Sequence, residues 1–215
     1  MNLSIEKILN DLSIKKDFRN VTNQYSDNWP YNKIAKENLR LYFTKMKELK
    51  PKFILIGEAP GYNGCRLTGI PFTSEFIIQD EIKNIRLFGI NNGYRTRNTA
   101  MPQKEPTATI VWEFLNTVKM YPLLWNAFPF HPYKSGNKDS NRNGKDLTND
   151  ELEFGLYILR KIFEEFDIRK GMIVAVGRTS FNLLRRNGMD CSYIRHPSHG
   201  GKDEFIDGLE KLFCF

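Results

Sequence analysis

Five side chains of this 215-residue chain have the types needed to hold and cleave a planar, polar heterocycle. They are an aromatic ring (Phe72), an amide (Asn126), an imidazole (His196) and two carboxylates (Glu58 and Glu75). The ring can stack on a flat ligand. The amide can read a polar edge, because it both donates and accepts. The imidazole can donate to charge that develops on a leaving group. A carboxylate can activate water or stabilise a cation. Each has an ordinary reading when taken alone: Phe72 as core, Asn126 as part of a structural network, His196 as a loop histidine bonded to backbone. What singles them out is that they occur together, in three loaded segments: GEAPG with PFTSE, then WNAFPFHP, then RHPSHGG.

Each loaded segment goes with a short strand-like run, apolar in the first two cases. Phe53 to Ile56 runs into Gly57, Leu123 to Phe128 carries Asn126, and Ser192 to Arg195 delivers His196. A further run, Met172 to Val176, closes on Gly177. Short apolar runs of this kind read as buried parallel strands. Ligands of open α/β sheets bind just beyond the carboxyl ends of such strands, so the three segments can converge on one edge. Residues 57–71 hold four glycines and two prolines, which predicts a turn-rich loop rather than a helix. That loop fits neither phosphate-binding glycine pattern.

Between the strands the sequence predicts helices. Leu39, Tyr42, Phe43, Met46 and Leu49 recur at helical spacing, and Pro51 ends that segment. Thr73 or Ser74 can cap a helix over 76–82, and a further amphipathic helix is predicted over 107–120. Thr148 and Glu151 form a capping-box pattern before the stripe Leu152, Leu156, Leu159, Phe163 and Phe166. Two more helices are predicted, one from Thr179 or Ser180 to Gly188 and one over 203–213. The polar stretch 86–106 is a long loop, either functional or disordered. The stretch 131–146, with Lys134, Lys138, Arg142 and Lys145, reads as a solvated insertion ahead of a DNA contact. Strands alternating with helices give an α/β fold with a mostly parallel sheet. A single domain over 1–215 is expected, with 1–30 as an N-terminal arm or helix.

Composition narrows the class. Hydrophobic residues make up 40% and aromatic residues 13%, enough to build a core. No apolar run approaches a membrane span. The charged N-terminal stretch lacks a signal-peptide apolar region, so a cytoplasmic protein is expected. A net charge of +7 is compatible with a polyanionic partner. Cys65, Cys191 and Cys214 are widely spaced without C-x-x-C, which excludes a disulfide framework and argues against a cysteine-held zinc or iron–sulfur site. Cys65 lies in the first loop as either a nucleophile or, more commonly for a lone loop cysteine, a small inert residue.

These motifs, in this order, resemble the uracil-DNA glycosylase superfamily over roughly residues 50–200. GEAPG at 57–61 with TGIPFT at 68–73, LLWNAF at 123–128 and HPS at 196–198 carry the resemblance. It is strongest to the GEAPG-type bacterial and archaeal branches. The resemblance implies a three-layer α/β/α sandwich around a four-stranded, mostly parallel sheet. It implies a monofunctional DNA glycosylase that hydrolyses the N-glycosidic bond of uracil, or a related deaminated base, flipped out of DNA. Phe72 would stack on the base. Asn126 would donate to O4 and accept from N3–H, and His196 would donate to O2. Gly57, Ala59 and Pro60 would wall the pocket, with Arg66, Ser198 and His199 on the DNA.

The pattern departs from the family at three places. Ala59 stands where the best-known branch has an aspartate, so water activation is not carried over to that position. Glu75, at the start of a helix, is then the favoured carboxylate over Glu58, which could be a scaffold residue. His199, Gly200 and Gly201 replace the usual bulky wedge. The four cysteines of the iron–sulfur branches are missing. No metal and no cofactor are expected, and the partner is DNA acted on by a monomer. The alternatives are a glycosylase for another base, or an inactive relative that binds nucleic acid or a nucleotide.

Overall fold

The computed structural model describes residues 3–14, 18–97 and 100–213; Cys214 lies outside them. Helix α1 (Leu3–Ser13) buries Ile5, Ile8, Leu9 and Leu12, one face of an amphipathic helix. A two-residue strand β1 (Val21–Thr22) follows. Helix α2 (Asn32–Leu49) buries Ala35, Leu39, Tyr42, Phe43 and Met46 and ends on Lys50 in the left-handed conformation. Strand β2 (Ile54–Gly57) is buried throughout. A single turn, α3 (Cys65–Thr68), then sits inside the loop where no helix was expected. The glycines that break a longer helix also bracket this turn: Gly64 precedes it and Gly69 caps it with φ 79°.

Helix α4 (Glu75–Gln79) starts at Ser74, whose hydroxyl accepts from the Ile77 N–H. Helix α5 (Pro106–Val118) has Pro at its first position and Glu105 as N-cap. Strand β3 (Leu123–Asn126) leads to β4 (His131–Pro132), which pairs antiparallel with β1. Helix α6 (Asn149–Glu165) opens with both halves of the Thr148–Glu151 capping box in place. Strand β5 (Ile173–Val176), helix α7 (Arg178–Arg186), strand β6 (Ser192–Ile194) and helix α8 (Lys202–Phe213) complete the chain.

The main sheet has the order β3-β2-β5-β6, and every pairing in it is parallel. The chain moves one way from β2 to β3 and the other way from β3 through β5 to β6. Right-handed crossovers therefore place α5 on one face of the sheet and α6 and α7 on the other. The expected α/β sheet flanked by helices is what the chain adopts. The connections leaving β2 and β5 diverge at their carboxyl ends, the switch point where open sheets place ligands. Aromatic packing fills the core, with Phe43 5.5 Å from Trp125 and Phe88 4.8 Å from Trp112 between ring centroids. None of the helices among the described residues is long and apolar enough to cross a membrane.

Candidate active site

Strand register creates the site. Gly57 pairs with Asn126 across β2 and β3, so the last residues of both strands lie side by side. A Cβ on Gly57 would come within 2.6 Å of both Asn126 Oδ1 and the Phe72 ring tip. No real Cβ tolerates that approach, so glycine here lets the ring and the amide share one wall. Phe72 reaches this place with φ 54°, an uncommon conformation for a bulky residue. A well-bonded loop holds it there. The Trp112 indole donates to Phe72 O at 2.9 Å, and the Thr68 and Thr73 hydroxyls meet at 2.7 Å. From below, Asn38 donates to Thr68 O and Tyr25 to Gly69 O. Gly69 cannot be another residue, because a Cβ there would run into the backbone of Ala35.

These side chains line a cavity of about 290 Å³. Gly57, Glu58, Ala59, Pro60, Phe72, Asn126, His196, Ser198 and His199 all border it, so nine of the eleven sequence-predicted site residues meet there. Asn126 is 5% exposed, and no described protein group bonds its side-chain amide. Its free donor and acceptor face the cavity, as a ligand-reading group would.

His196 is held by its own loop. The Ser198 backbone N–H donates to His196 Nδ1 at 3.2 Å, and the Ser198 hydroxyl lies 2.7 Å from the same atom. With Nδ1 accepting, the proton of the neutral ring sits on Nε2. Burial, with the charges of Arg195 and His199, lowers the His196 pKa to about 4. The ring is thus a neutral N–H donor at the cavity wall.

The two carboxylates occupy opposite situations. Glu58 borders the cavity and accepts from the Gly144 N–H. Burial pushes its pKa up, beyond what Gly144 and Thr179 offset. Glu75 is 0% exposed and does not border the cavity. Arg97 donates to it from its backbone N–H at 3.1 Å and from its guanidinium at 2.8 Å to each oxygen, and Gln103 N–H adds a fourth bond. Burial raises the Glu75 pKa, but the Arg97 and Gln103 bonds outweigh it and hold the carboxyl below its usual range. The expected places of the two residues are therefore exchanged. Glu75 holds Arg97 and Gln103, and Glu58 is the one of the two that borders the cavity.

Arg66 is also elsewhere than expected. Its side chain is 8% exposed and donates to Tyr62 O, Lys138 O and Asp139. It ties the first loop to the 131–146 stretch and offers no free cation to DNA. Most of that stretch is exposed, Lys134, Lys138 and Lys145 included, as a solvated insertion would be, but it is tied back to the site. Asn141 Oδ1 accepts from Tyr62 N–H, and Asn141 and Arg142 border the cavity. Glu105, Thr107, Thr73 and Cys65 border it too. Of these, Cys65 and Thr73 belong to the first loaded loop of the sequence, whereas Glu105 went unnoticed although it is an acidic residue directly before a helix-opening proline. Burial pushes the Cys65 thiol well up, which removes it as a nucleophile at neutral pH. Among the described residues, no group of three or more His, Cys, Asp and Glu side chains is placed to hold a metal ion.

No family model matches the sequence. No curated protein matches it either. Among solved structures, the crystal structure of SMUG2 from Pedobacter heparinus aligns over 99% of this chain and 97% of its own, with a TM-score of 0.67 and 17% identity. SMUG2 is a member of the uracil-DNA glycosylase superfamily. The chain therefore has the fold of the uracil-DNA glycosylase superfamily.

Proposed function

We propose that this protein is a DNA glycosylase that hydrolyses the N-glycosidic bond of uracil, or a related deaminated base, after the nucleotide is flipped out of DNA. The observation that carries the reading is the unpartnered Asn126 amide beside the Phe72 ring at Gly57. A flipped base must be read by hydrogen bonds to its edge and by stacking, and this wall supplies both. The amide donates to uracil O4 and accepts from N3–H. Cytosine presents the opposite pattern and is refused.

As the bond from C1′ to the base nitrogen breaks, its electron pair moves into the base and charge gathers on O2. The Nε2–H of His196 donates to that oxygen. A neutral imidazole suits the task, because it stabilises the anion without surrendering its proton to bulk water. Preorganised donors of this kind are typically worth about a hundred- to a thousandfold in rate. The sugar becomes an oxocarbenium ion and is captured at C1′ by water. Glu58 takes the water proton, and its raised pKa makes it a better base than an exposed carboxylate. The products are an abasic site and a free base, which takes up one proton. Ser198 orients His196, and His199 is the exposed side chain at the rim available to phosphate. Cytoplasmic location and a monomeric state complete the reading.

The test is incubation with oligonucleotides carrying one uracil, followed by alkali. Strand scission at the former uracil supports the enzyme. Retention on DNA without scission, over single-stranded and duplex substrates alike, supports an inactive binder.

A further inference from the structure

Within the mostly exposed 131–146 stretch, Gly144 is buried. Its N–H donates to Glu58 Oε1, and the Glu58 side chain lies so close that a Cβ on residue 144 would run into it. Glycine is what lets this amide reach the carboxylate. Gly144 belongs to a single 3₁₀ turn, Gly144–Asp146, opened by Asn143, whose Oδ1 accepts from Lys145 N–H at 3.0 Å. A turn this short has too few bonds to hold its own position. Something outside it must fix where the Gly144 amide points.

Arg142 is built for that task. Its backbone N–H donates to Pro132 O, in β4, at 3.0 Å. Its guanidinium donates to Asp146 O at 3.0 Å and to Glu151 Oε1 at 2.5 Å. Glu151 is 1% exposed, and its other oxygen accepts from Thr148 N–H at 2.7 Å, which closes the capping box of α6. One planar fork thus joins both ends of the turn, residues 142 and 146, to the start of α6. Gly144 sits midway between them. We propose that Arg142 is a positioning residue: it fixes the 142–146 turn between β4 and α6, and so aims the Gly144 N–H at Glu58. This rests on the glycosylase reading only for the task of Glu58 as base.

A hydrogen bond to an ionised group favours the ionised form. The Gly144 bond, with Thr179 and Lys145, opposes the rise that burial and Asp146 impose on Glu58. The neutral His196 ring borders the same cavity. Loosening the turn should therefore raise the Glu58 pKa and carry the acid limb of excision to higher pH.

A carboxyl 13C NMR titration of the whole chain, with the Glu58 signal identified by its loss in Glu58→Gln, reads this without any substrate. Arg142→Gln should raise the Glu58 pKa by about one pH unit, the scale of one charged hydrogen bond. Arg142→Lys, which keeps the charge but not the fork, should raise it too. Glu151→Gln, which keeps a capping-box residue, should also raise it, whereas mere loss of a nearby negative charge would lower it. The acid limb of uracil excision should move up in all three. An unmoved Glu58 titration in the Arg142 variants overturns the proposal, whether they lose stability, as with a purely structural arginine, or DNA affinity, as with one that contacts the ligand. A normal pKa in Arg142→Lys, or a lowered one in Glu151→Gln, overturns it as well, since charge alone would then explain the effect. If the titration moves as stated while the unsubstituted chain excises nothing from any substrate, the positioning stands and the glycosylase reading falls.

Discussion

Glu58 and Glu75 lie seventeen residues apart in one loop region, and both follow motif glycines or aromatics, yet the fold treats them in opposite ways. Glu75 receives four hydrogen bonds, three from Arg97 and one from Gln103, and is held ionised. Glu58 accepts one backbone N–H at a cavity wall, and burial raises its pKa. The difference separates structure from chemistry. A carboxylate whose lone pairs are all committed fixes the chain around it and has nothing left for a ligand. A carboxylate left partly satisfied at a cavity keeps the capacity to take a proton.

Four outcomes sharpen or break this contrast. The largest concerns the donor opposite Glu58. His196→Ala should lower single-turnover uracil excision by about a hundredfold or more while DNA affinity changes little; parallel losses in rate and affinity would make His196 structural. Next, Asn126→Asp should slow uracil excision by about tenfold or more, on the scale of one lost edge contact of about 1–3 kcal/mol, and open the pocket to cytosine. Product analysis with uracil- and cytosine-bearing strands reads both effects, and an unchanged uracil rate would take Asn126 out of the reading edge.

Glu75→Gln should act on stability instead. Losing the charge that Arg97 grips should cost about 3 kcal/mol, the lower end for a broken buried pair because Arg97 is partly exposed. Urea unfolding measures it, and an unaltered midpoint would contradict the clamp. The smallest effect is the separation of two pH limbs. Excision needs ionised Glu58, so it should fall with decreasing pH through a pKa above the usual carboxylate range. The Glu75 pair has a depressed folded pKa, so its stabilisation is complete above the unfolded pKa and is lost only as pH falls through the lower folded value. His196, lowered to about 4, binds its proton more weakly when folded, so the fold also loses stability as pH falls from about 6.5 toward that value. A rate profile and a stability profile falling together through a single pKa would contradict the separation.

Much of this was legible before the fold was known. Short strand-like runs, three of them leading into loaded segments, marked the four parallel strands, and the capping-box pattern at Thr148 and Glu151 marked the start of α6. That Phe72, Asn126 and His196 come to one cavity could be expected because chemical type and position in the motifs are both written locally. The exchange of the two carboxylates was not legible. Its causes are long-range: Gly144, the donor to Glu58, is 86 residues away, and Arg97 is 22 residues from Glu75. Arg66 was misplaced for the same reason, since its partners Lys138 and Asp139 lie in a polar stretch whose composition resembles solvated loop. The pair β1 and β4 escaped notice because two residues carry no alternation.

The most direct measurement is the single-turnover rate of uracil excision for Glu58→Gln and Glu75→Gln, side by side, under conditions where both are shown to be folded. The account predicts that Glu58→Gln loses about a hundredfold or more, the scale of a general base, and that Glu75→Gln stays near the wild-type rate. Full activity in Glu58→Gln with a collapsed rate in folded Glu75→Gln would contradict it.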